Sequence, residues 1–243
     1  MRIPRIYTHN RLDKGQAVEL ETKAHKHLKD VLRMSVGDSV ILFNGDGCDY
    51  QGKITELSKK KLLVTIEQSH ALNNESCLNV HLLQPLCSSE KMDLCLQKAT
   101  ELGVKSITPF ISNRVNIHIA GNRLEKKMAH WQSVIQSACE QSGRAQLPML
   151  HSPAPLYNVM TNTPEVDVKL IASPTIEQQY SFQSENFSSC VCAIGPEGGF
   201  TDQEVHKARE LGFKTIQMGP RVLRLETAVI SALTLCQYRW GDF

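Results

Sequence analysis

Two stretches of sequence decide how this chain is read. The first is Ile194-Gly195-Pro196-Glu197-Gly198-Gly199-Phe200-Thr201-Asp202-Gln203-Glu204. The second is Met218-Gly219-Pro220-Arg221-Val222-Leu223-Arg224-Leu225-Glu226-Thr227-Ala228. In each, an apolar strand (Ser189–Ile194, then Lys214–Met218) runs into a glycine-containing bend. A helix follows each bend, over Glu204–Leu211 and Glu226–Trp240. Thr201 and Glu204 have the T-x-x-E spacing of a capping box. Glu226 and Thr227 suit a helix start through the macrodipole and capping. Glycine at the carboxyl end of a strand permits positive φ and lets a ligand touch bare main chain. Open α/β sheets bind their ligands at that end. Either bend alone also reads as a tight βα turn; two at successive strand ends imply two walls of one cleft.

The pattern extends outward from these bends. Leu78–Leu86, Val104–Phe110 and Val166–Ala172 read as strands. Between them, Glu90–Leu102 has helical spacing, with Met92, Cys95, Leu96, Ala99 and Leu102 on one face. Leu124, Met128, Trp131, Ile135, Ala138 and Ser142 mark the stripe of a longer helix ended by Gly143. Such alternation predicts an α/β unit with a mostly parallel sheet covered on both faces. The first 70 residues differ. Ser39–Phe43, Tyr50–Leu57 and Leu62–Glu67 read as short strands, with the turn Asn44-Gly45-Asp46-Gly47 after the first. A short helix over Lys23–Leu32 is closed by Arg33. These features suggest a small β-barrel. The expected organisation is residues 1–70, a polar linker 71–77, and an α/β unit 78–243.

Composition excludes several classes. Of 243 residues, 41% are hydrophobic and 21% charged, which excludes a wholly disordered chain. The apolar runs, such as Leu62–Ile66 and Val229–Leu235, are far shorter than the roughly 20 residues of a membrane-spanning helix. The basic start, Met1–Arg11, lacks the apolar core of a secretory signal, so a cytoplasmic location is expected. The eight cysteines are scattered, and Cys190/Cys192 form C-x-C, so reduced, mostly buried thiols are expected and no metal site. No G-x-G-x-x-G or G-K-[ST] motif occurs, which argues against a dinucleotide enzyme or a phosphate loop. Residues 1–33 hold eight Lys/Arg against four Asp/Glu, a basic excess suited to a polyanion or to an ordinary solvated surface.

These residues also carry a resemblance. G-P-E-G-G-F-T-x-x-E followed by G-x-R-V-L-R-x-E-T-A is similar to the bacterial methyltransferases that act on N3 of a uridine in 16S (small-subunit) ribosomal RNA. That family belongs to the SPOUT, or trefoil-knotted, class. The resemblance spans the chain: M-R-I-P-R-I-Y at the start, V-L-R-M-x-x-G-D (Val31–Asp38), E-K-M-D (Glu90–Asp93), Q-K-A-T-E-L-G-V (Gln97–Val104), A-C-E-Q-S-G-R (Ala138–Arg144) and R-W-G-D-F at the end. Two departures stand out. Ser173-Pro174 replaces the family's common His-Pro, so no role of that histidine carries over. Asn113-Arg114-Val115 replaces an Arg-Ser motif, leaving only Arg114.

The resemblance implies an N-terminal PUA-like RNA-binding barrel, a C-terminal SPOUT domain with a threaded knot, a homodimer, and S-adenosylmethionine as cofactor. By position, cofactor contacts fall on Gly195, Pro196, Glu197, Gly198 and Gly199, on Met218 and Gly219, and on Leu223, Arg224, Leu225, Thr227 and Ala228. Ile171 and Ala172, at an earlier strand end, line the same cleft. RNA would meet Arg2, Arg5, Lys26, Arg33 and Lys53, with Arg144 nearer the target base. Transfer of a methyl from a sulfonium to a ring nitrogen needs no metal and no covalent enzyme intermediate. It needs alignment, loss of the N3 proton, and cations near the uracil oxygens. Arg144, Arg114 and Arg224 are candidates for the cations, and Glu140 or Glu226 for the proton acceptor. Cys139 reads as a packing residue, since methylation at nitrogen needs no thiol nucleophile. Another RNA position (a ribose 2′-oxygen or a transfer-RNA base) and a non-catalytic ribosome-assembly factor of the same fold remain open alternatives at this point.

Overall fold

The structure, a computed structural model, describes residues 3–114, 121–173, 180 and 185–243. The chain forms two compact units. One comprises Met1–Glu75 with Gln136–Leu147, the other Ser76–Ile135 with Pro148–Phe243. The first unit is therefore discontinuous in sequence.

In the first unit, β1 (Arg5–Tyr7), β2 (Ala17–Glu19), β3 (Ser39–Phe43), β4 (Cys48–Leu57) and β5 (Leu62–Ala71) form one sheet in the order β1-β3-β4-β5-β2. All neighbours are antiparallel except β1 and β3. Alternate residues Val40 and Leu42, and Leu62, Val64 and Ile66, point into a core with Ile6, Leu20, Leu28 and Ile54. The long β4–β5 ladder is bent by register shifts at Gln51/Gly52 and Ile54/Glu56. At the first, a Cβ on Gly52 would stand 2.5 Å from the Thr65 carbonyl oxygen, so only glycine fits.

The helix expected over Lys23–Leu32 is different in kind. An α-helix, α1 (Thr22–Lys26), passes into a π-helical turn, His27–Val31. The Leu32 N–H bonds the His27 carbonyl, five residues back, at 3.0 Å. The wider turn seats Leu28 in the core with no exposure.

The second unit holds a sheet of β6 (Asn79–Pro85), β7 (Ser106–Ile111), β8 (Met149–Leu150), β10 (Val168–Ala172), β11 (Ser189–Ile194) and β12 (Phe213–Ile216), in the order β12-β10-β11-β6-β7-β8. The two-residue β9 (Ala154–Pro155) also pairs with β7. Every pairing is parallel. Helices α2 (Ser89–Glu101), α3 (Asn122–Ser142), α4 (Leu156–Thr161), α5 (Asp202–Glu210) and α6 (Leu225–Trp240) complete the chain. The central strands β6, β7, β10 and β11 are largely buried on both faces, as their near-continuous apolar runs require. Val191 and Ala193 pack with Leu156, Val159 and Met160 of α4 and with Val205 and Ala208 of α5. On the other face, Cys190 and Cys192 meet Cys236 of α6. The sequence pattern did not anticipate α4, β8 or β9, which are too short to show a period. The strand expected to reach Met218 stops at Ile216, because its partner β10 ends at Ala172 opposite it. Gln217 and Met218 are thereby released into the following bend.

Candidate active site

The carboxyl ends of the three adjacent strands β12, β10 and β11 open onto a cavity of about 470 Å³. Ala172, Ile194 and Ile216, the last residues of those strands, form its floor. Gly195–Gly199 form one wall, and Met218, Gly219 and Arg221–Leu225 another, with Ala228 beyond. The two bends thus enclose one space. Its surface is mostly apolar side chain and bare glycine backbone, with the cations Lys91, Arg221 and Arg224 and the carboxylate Glu197 at its edge. Apolar walls with a few placed charges are the usual form of a small-molecule site.

The first wall is held in place from three directions. Its end is the expected capping box: Thr201 Oγ1 accepts the Glu204 N–H at 3.2 Å, and Glu204 Oε2 accepts the Thr201 N–H at 2.8 Å. Glu204 Oε1 also accepts the Asn113 N–H at 3.0 Å, which ties the loop after β7 to α5. Phe200 stacks on Phe110 of β7, ring centres 6.1 Å apart. A guanidinium nitrogen of Arg114 donates to the Gly198 carbonyl, and Lys91 of α2 pairs with Glu197. That hydrogen bond to Glu197 raises the Lys91 pKa. The wall has little room for side chains. A Cβ on Gly195 would lie 3.3 Å from the Phe200 ring, and one on Gly198 3.2 Å from Arg114 Cδ.

The second wall departs from expectation at its helix. Arg224 occupies the N-cap position of α6 without any side-chain cap, and neither Glu226 nor Thr227 caps it. Glu226 lies in the first turn, with Oε2 buried and no hydrogen-bond partner. No ion pair joins it to Arg221 or Arg224 among the described residues.

Comparison with known proteins places this architecture. Residues 74–237 match the RNA methyltransferase domain family model, and residues 20–67 match the RNA methyltransferase PUA domain. The ribosomal RNA small subunit methyltransferase E of Buchnera aphidicola (Schizaphis graminum) is 35% identical over 99% of this chain and 98% of its own length. The Bacillus subtilis protein of that name is 26% identical over 96% of this chain and 94% of its own. The chain belongs to the ribosomal RNA small subunit methyltransferase E family. A Neisseria gonorrhoeae member, solved with S-adenosylmethionine bound, superposes with a TM-score of 0.92 at 36% identity, covering all of both chains. A Legionella pneumophila methyltransferase with the same cofactor bound gives 0.93 at 38%, again over both whole chains. The fold is that of the SPOUT methyltransferases with a PUA-like N-terminal unit.

In this family member, twelve of the fourteen residues expected at the cofactor line the cavity. The others are Ile171, which is wholly buried in the sheet core, and Thr227, which is exposed on α6. Lys91, Ile194, Ile216, Gln217, Arg221 and Val222 also line the cavity, as does Ser173 of the Ser173-Pro174 departure, although the resemblance implies no cofactor contact for any of them. For Lys91 the E-K-M-D motif was a signal. For Gln217 nothing in the sequence showed that the strand would stop early.

The remaining expected residues belong to the first unit. Arg5 is a correction. Its Nε and Nη2 bond the two oxygens of Asp49 at 3.1 and 2.5 Å, and Nη1 donates to the Cys139 carbonyl at 2.8 Å. The guanidinium also lies over the Phe43 ring, 4.5 Å from its centre. With 6% of its side chain exposed, it is a structural cation and not a surface phosphate contact. Arg144 is equally buried and pairs with Glu75 through Nη2–Oε2 at 2.6 Å. Glu140 Oε1 accepts the Tyr7 N–H at 3.0 Å, and burial raises its pKa. Arg5, Glu140 and Arg144 are thus brought into one cluster. Lys26, Arg33 and Lys53 are exposed, Lys53 beside Glu67 at 3.2 Å. Arg2 lies outside the described residues. Cys139 is fully buried, which pushes its thiol up to about 12.

Proposed function

We propose that the chain methylates N3 of a uridine in 16S ribosomal RNA with S-adenosylmethionine as donor, acting as a cytoplasmic homodimer. The observation that carries this reading is the enclosure of one cavity by two glycine bends at the ends of adjacent parallel strands. Relatives aligned over their whole length are named for small-subunit ribosomal RNA, and two similar structures hold that donor.

The residues present suit the donor. Ile194, Ile216, Leu223 and Leu225 offer an apolar slot for a purine, and the bare backbone of Gly195–Gly199 allows close approach. Glu197, with Lys91 and Arg224, offers charges of both signs to an amino-acid end. When bound there, S-adenosylmethionine supplies a methyl group already attached to a good leaving group. The protein's work is then to align the acceptor and favour the deprotonated uracil. Arg114 and Arg224, both exposed, are the cations for charge developing on the uracil oxygens. Burial makes Glu140 a stronger base, suited to taking the N3 proton. Arg144, held by Glu75, is assigned to keeping the turn at Gly143–Gln146 in place.

The test is methyl transfer to purified small subunits and to free ribosomal RNA, with the product nucleoside identified by mass spectrometry. N3-methyluridine is expected. A ribose methyl, another methylated base, or no transfer overturns the reading.

A further inference from the structure

Helices α2 and α6 of the second unit pack side by side and run parallel. Each starts near the carboxyl ends of the strands and returns to the other end of the sheet. Beyond α2, the Lys105 N–H bonds the Val80 carbonyl early in β6; at the end of α6, Trp240 Nε1 donates to the Glu185 carbonyl just before β11. The far ends of the two helices are tied by Gln237 Nε2, which donates to the Leu102 carbonyl at 2.7 Å. Eleven residues make three helical turns to within about 20°. Counting back eleven from Leu102 and from Gln237 reaches Lys91 and Glu226, which therefore stand at one level on the same seam. Cys95, Val229 and Leu233, on the same stripes, are buried.

Lys91 is thus placed between two carboxylates. On the cavity side it pairs with Glu197, in an ion pair whose side chains are 34% and 61% exposed. On the seam is Glu226, whose Oε2 is buried and has no hydrogen-bond partner among the described residues. A buried carboxylate oxygen without a donor is costly, and a cation able to reach it removes the cost. The charges of the seam act on one another. The hydrogen bond to Glu197 is the main cause that raises the Lys91 pKa, and the negative charge of Glu226 adds to it. Burial and then the charge of Glu226 push the Cys95 thiol up to about 12, while Lys91 opposes them. A pair as exposed as Lys91 and Glu197 contributes little to stability, so it exchanges partners readily.

We propose that Glu226 is a positioning residue for donor binding: it takes over Lys91 and so frees Glu197 for the ammonium group at the amino-acid end of S-adenosylmethionine. When Lys91 turns to the seam, its charge still has a carboxylate partner, and Glu226 gains the hydrogen-bond donor it lacks. One cation leaves Glu197 as another arrives, so the rim never holds an unpaired acid. Arg224, also at the cavity edge, is left to face the carboxylate of the same amino-acid end. A ligand without the ammonium group gains nothing from the exchange, so the two acids together select for the intact donor. The inference deepens the reading of the cavity as the donor site and rests on it.

The experiment is calorimetry of the full-length protein with S-adenosylmethionine and with 5′-methylthioadenosine, which keeps the nucleoside and lacks the amino-acid end. Glu226→Gln is expected to weaken S-adenosylmethionine binding about tenfold, the order of one charge-assisted hydrogen bond, and to leave methylthioadenosine binding as it was. Lys91→Met leaves Glu197 with no lysine to give up, so it should not weaken S-adenosylmethionine binding. Adding Glu226→Gln to Lys91→Met should then change nothing further, because the two residues act as one unit. Four results would each overturn the inference. Unchanged S-adenosylmethionine affinity in Glu226→Gln removes the role. Equal loss of both ligands makes Glu226 merely structural. The same tenfold loss in the Lys91→Met background makes Glu226 act without Lys91. Weakening by Lys91→Met alone makes Lys91 a direct contact of the donor. If the wild-type protein binds neither ligand, the donor reading itself fails, and the inference with it.

Discussion

Glu204 Oε1 accepts the backbone N–H of Asn113 at 3.0 Å while the other oxygen of the same carboxylate closes the capping box on Thr201. One side chain thus caps α5 and fixes the residue that precedes Arg114, so the glycine wall and the Arg114 that grips it are positioned together. Glu204→Ala leaves the Thr201 and Asn113 N–H groups without their acceptor. A loss of about 2 kcal/mol is expected in urea unfolding, from the cap and the unmet donors. Cofactor affinity should fall with it in calorimetry. Thr201→Ala, which removes only the cap, should cost about 1 kcal/mol.

Gly198 tests the wall itself. Gly198→Val places a branched side chain where a Cβ alone would be 3.2 Å from Arg114 Cδ. S-adenosylmethionine affinity is expected to fall more than about tenfold by calorimetry, since a misfit of 1.4 kcal/mol already gives that factor. Wild-type affinity in the variant would remove Gly198 from the donor site.

Arg5 governs stability. Arg5→Ala breaks a largely buried bidentate pair, leaves Asp49 without its partner and removes one of the two donors to the Cys139 carbonyl, the other being the Gly143 N–H. The expected cost is about 3 kcal/mol in denaturant unfolding. Because the side chain is buried, the salt slope of RNA binding should not change at temperatures where the variant is folded.

Glu140 gives a pH signature. Its folded-state pKa is raised by burial, so the protonated form is favoured by folding. Its contribution is fully present below the unfolded carboxylate range and is lost as pH rises through the raised folded value. Glu140→Gln keeps an oxygen for the Tyr7 N–H and removes the buried charge. The variant should therefore be more stable than wild type at pH 8 and approach it near pH 4, as read by urea unfolding at both values. If Glu140 also takes the N3 proton, the same variant loses turnover while still binding donor.

Cys139 should be chemically silent. With its thiol pushed up to about 12 and its side chain buried, iodoacetamide at pH 8 should leave it unmodified in the folded protein, while the exposed Cys77 is labelled first. Peptide mapping by mass spectrometry reads this directly. Prompt labelling of Cys139 would show a cluster more open than the one described.

Much of the site was legible because it is local. A strand, a glycine bend and a helix start within eleven residues, and the T-x-x-E spacing of Thr201 and Glu204 dictates its own hydrogen bonds. Other features needed partners distant in sequence. Lys91 reaches the cavity only because α2 brings it to Glu197, 106 residues later. Arg5 read as a surface cation because nothing nearby in the chain shows Asp49 and the Cys139 carbonyl closing on it. The π-helical turn was hidden because helical spacing over ten residues does not distinguish a fourth-residue from a fifth-residue hydrogen bond.

By itself the sequence determined the parallel α/β unit, the β-rich first unit, and two side-chain-poor bends at strand ends, since each follows from short-range periodicity and backbone freedom. The tertiary structure alone decided that β12, β10 and β11 lie side by side, so that both bends close on one cavity, and that Gln136–Leu147 joins the first unit. The reason is physical: strand order and the partners of buried charges are set by packing between residues far apart in the chain, where no local pattern records the neighbour.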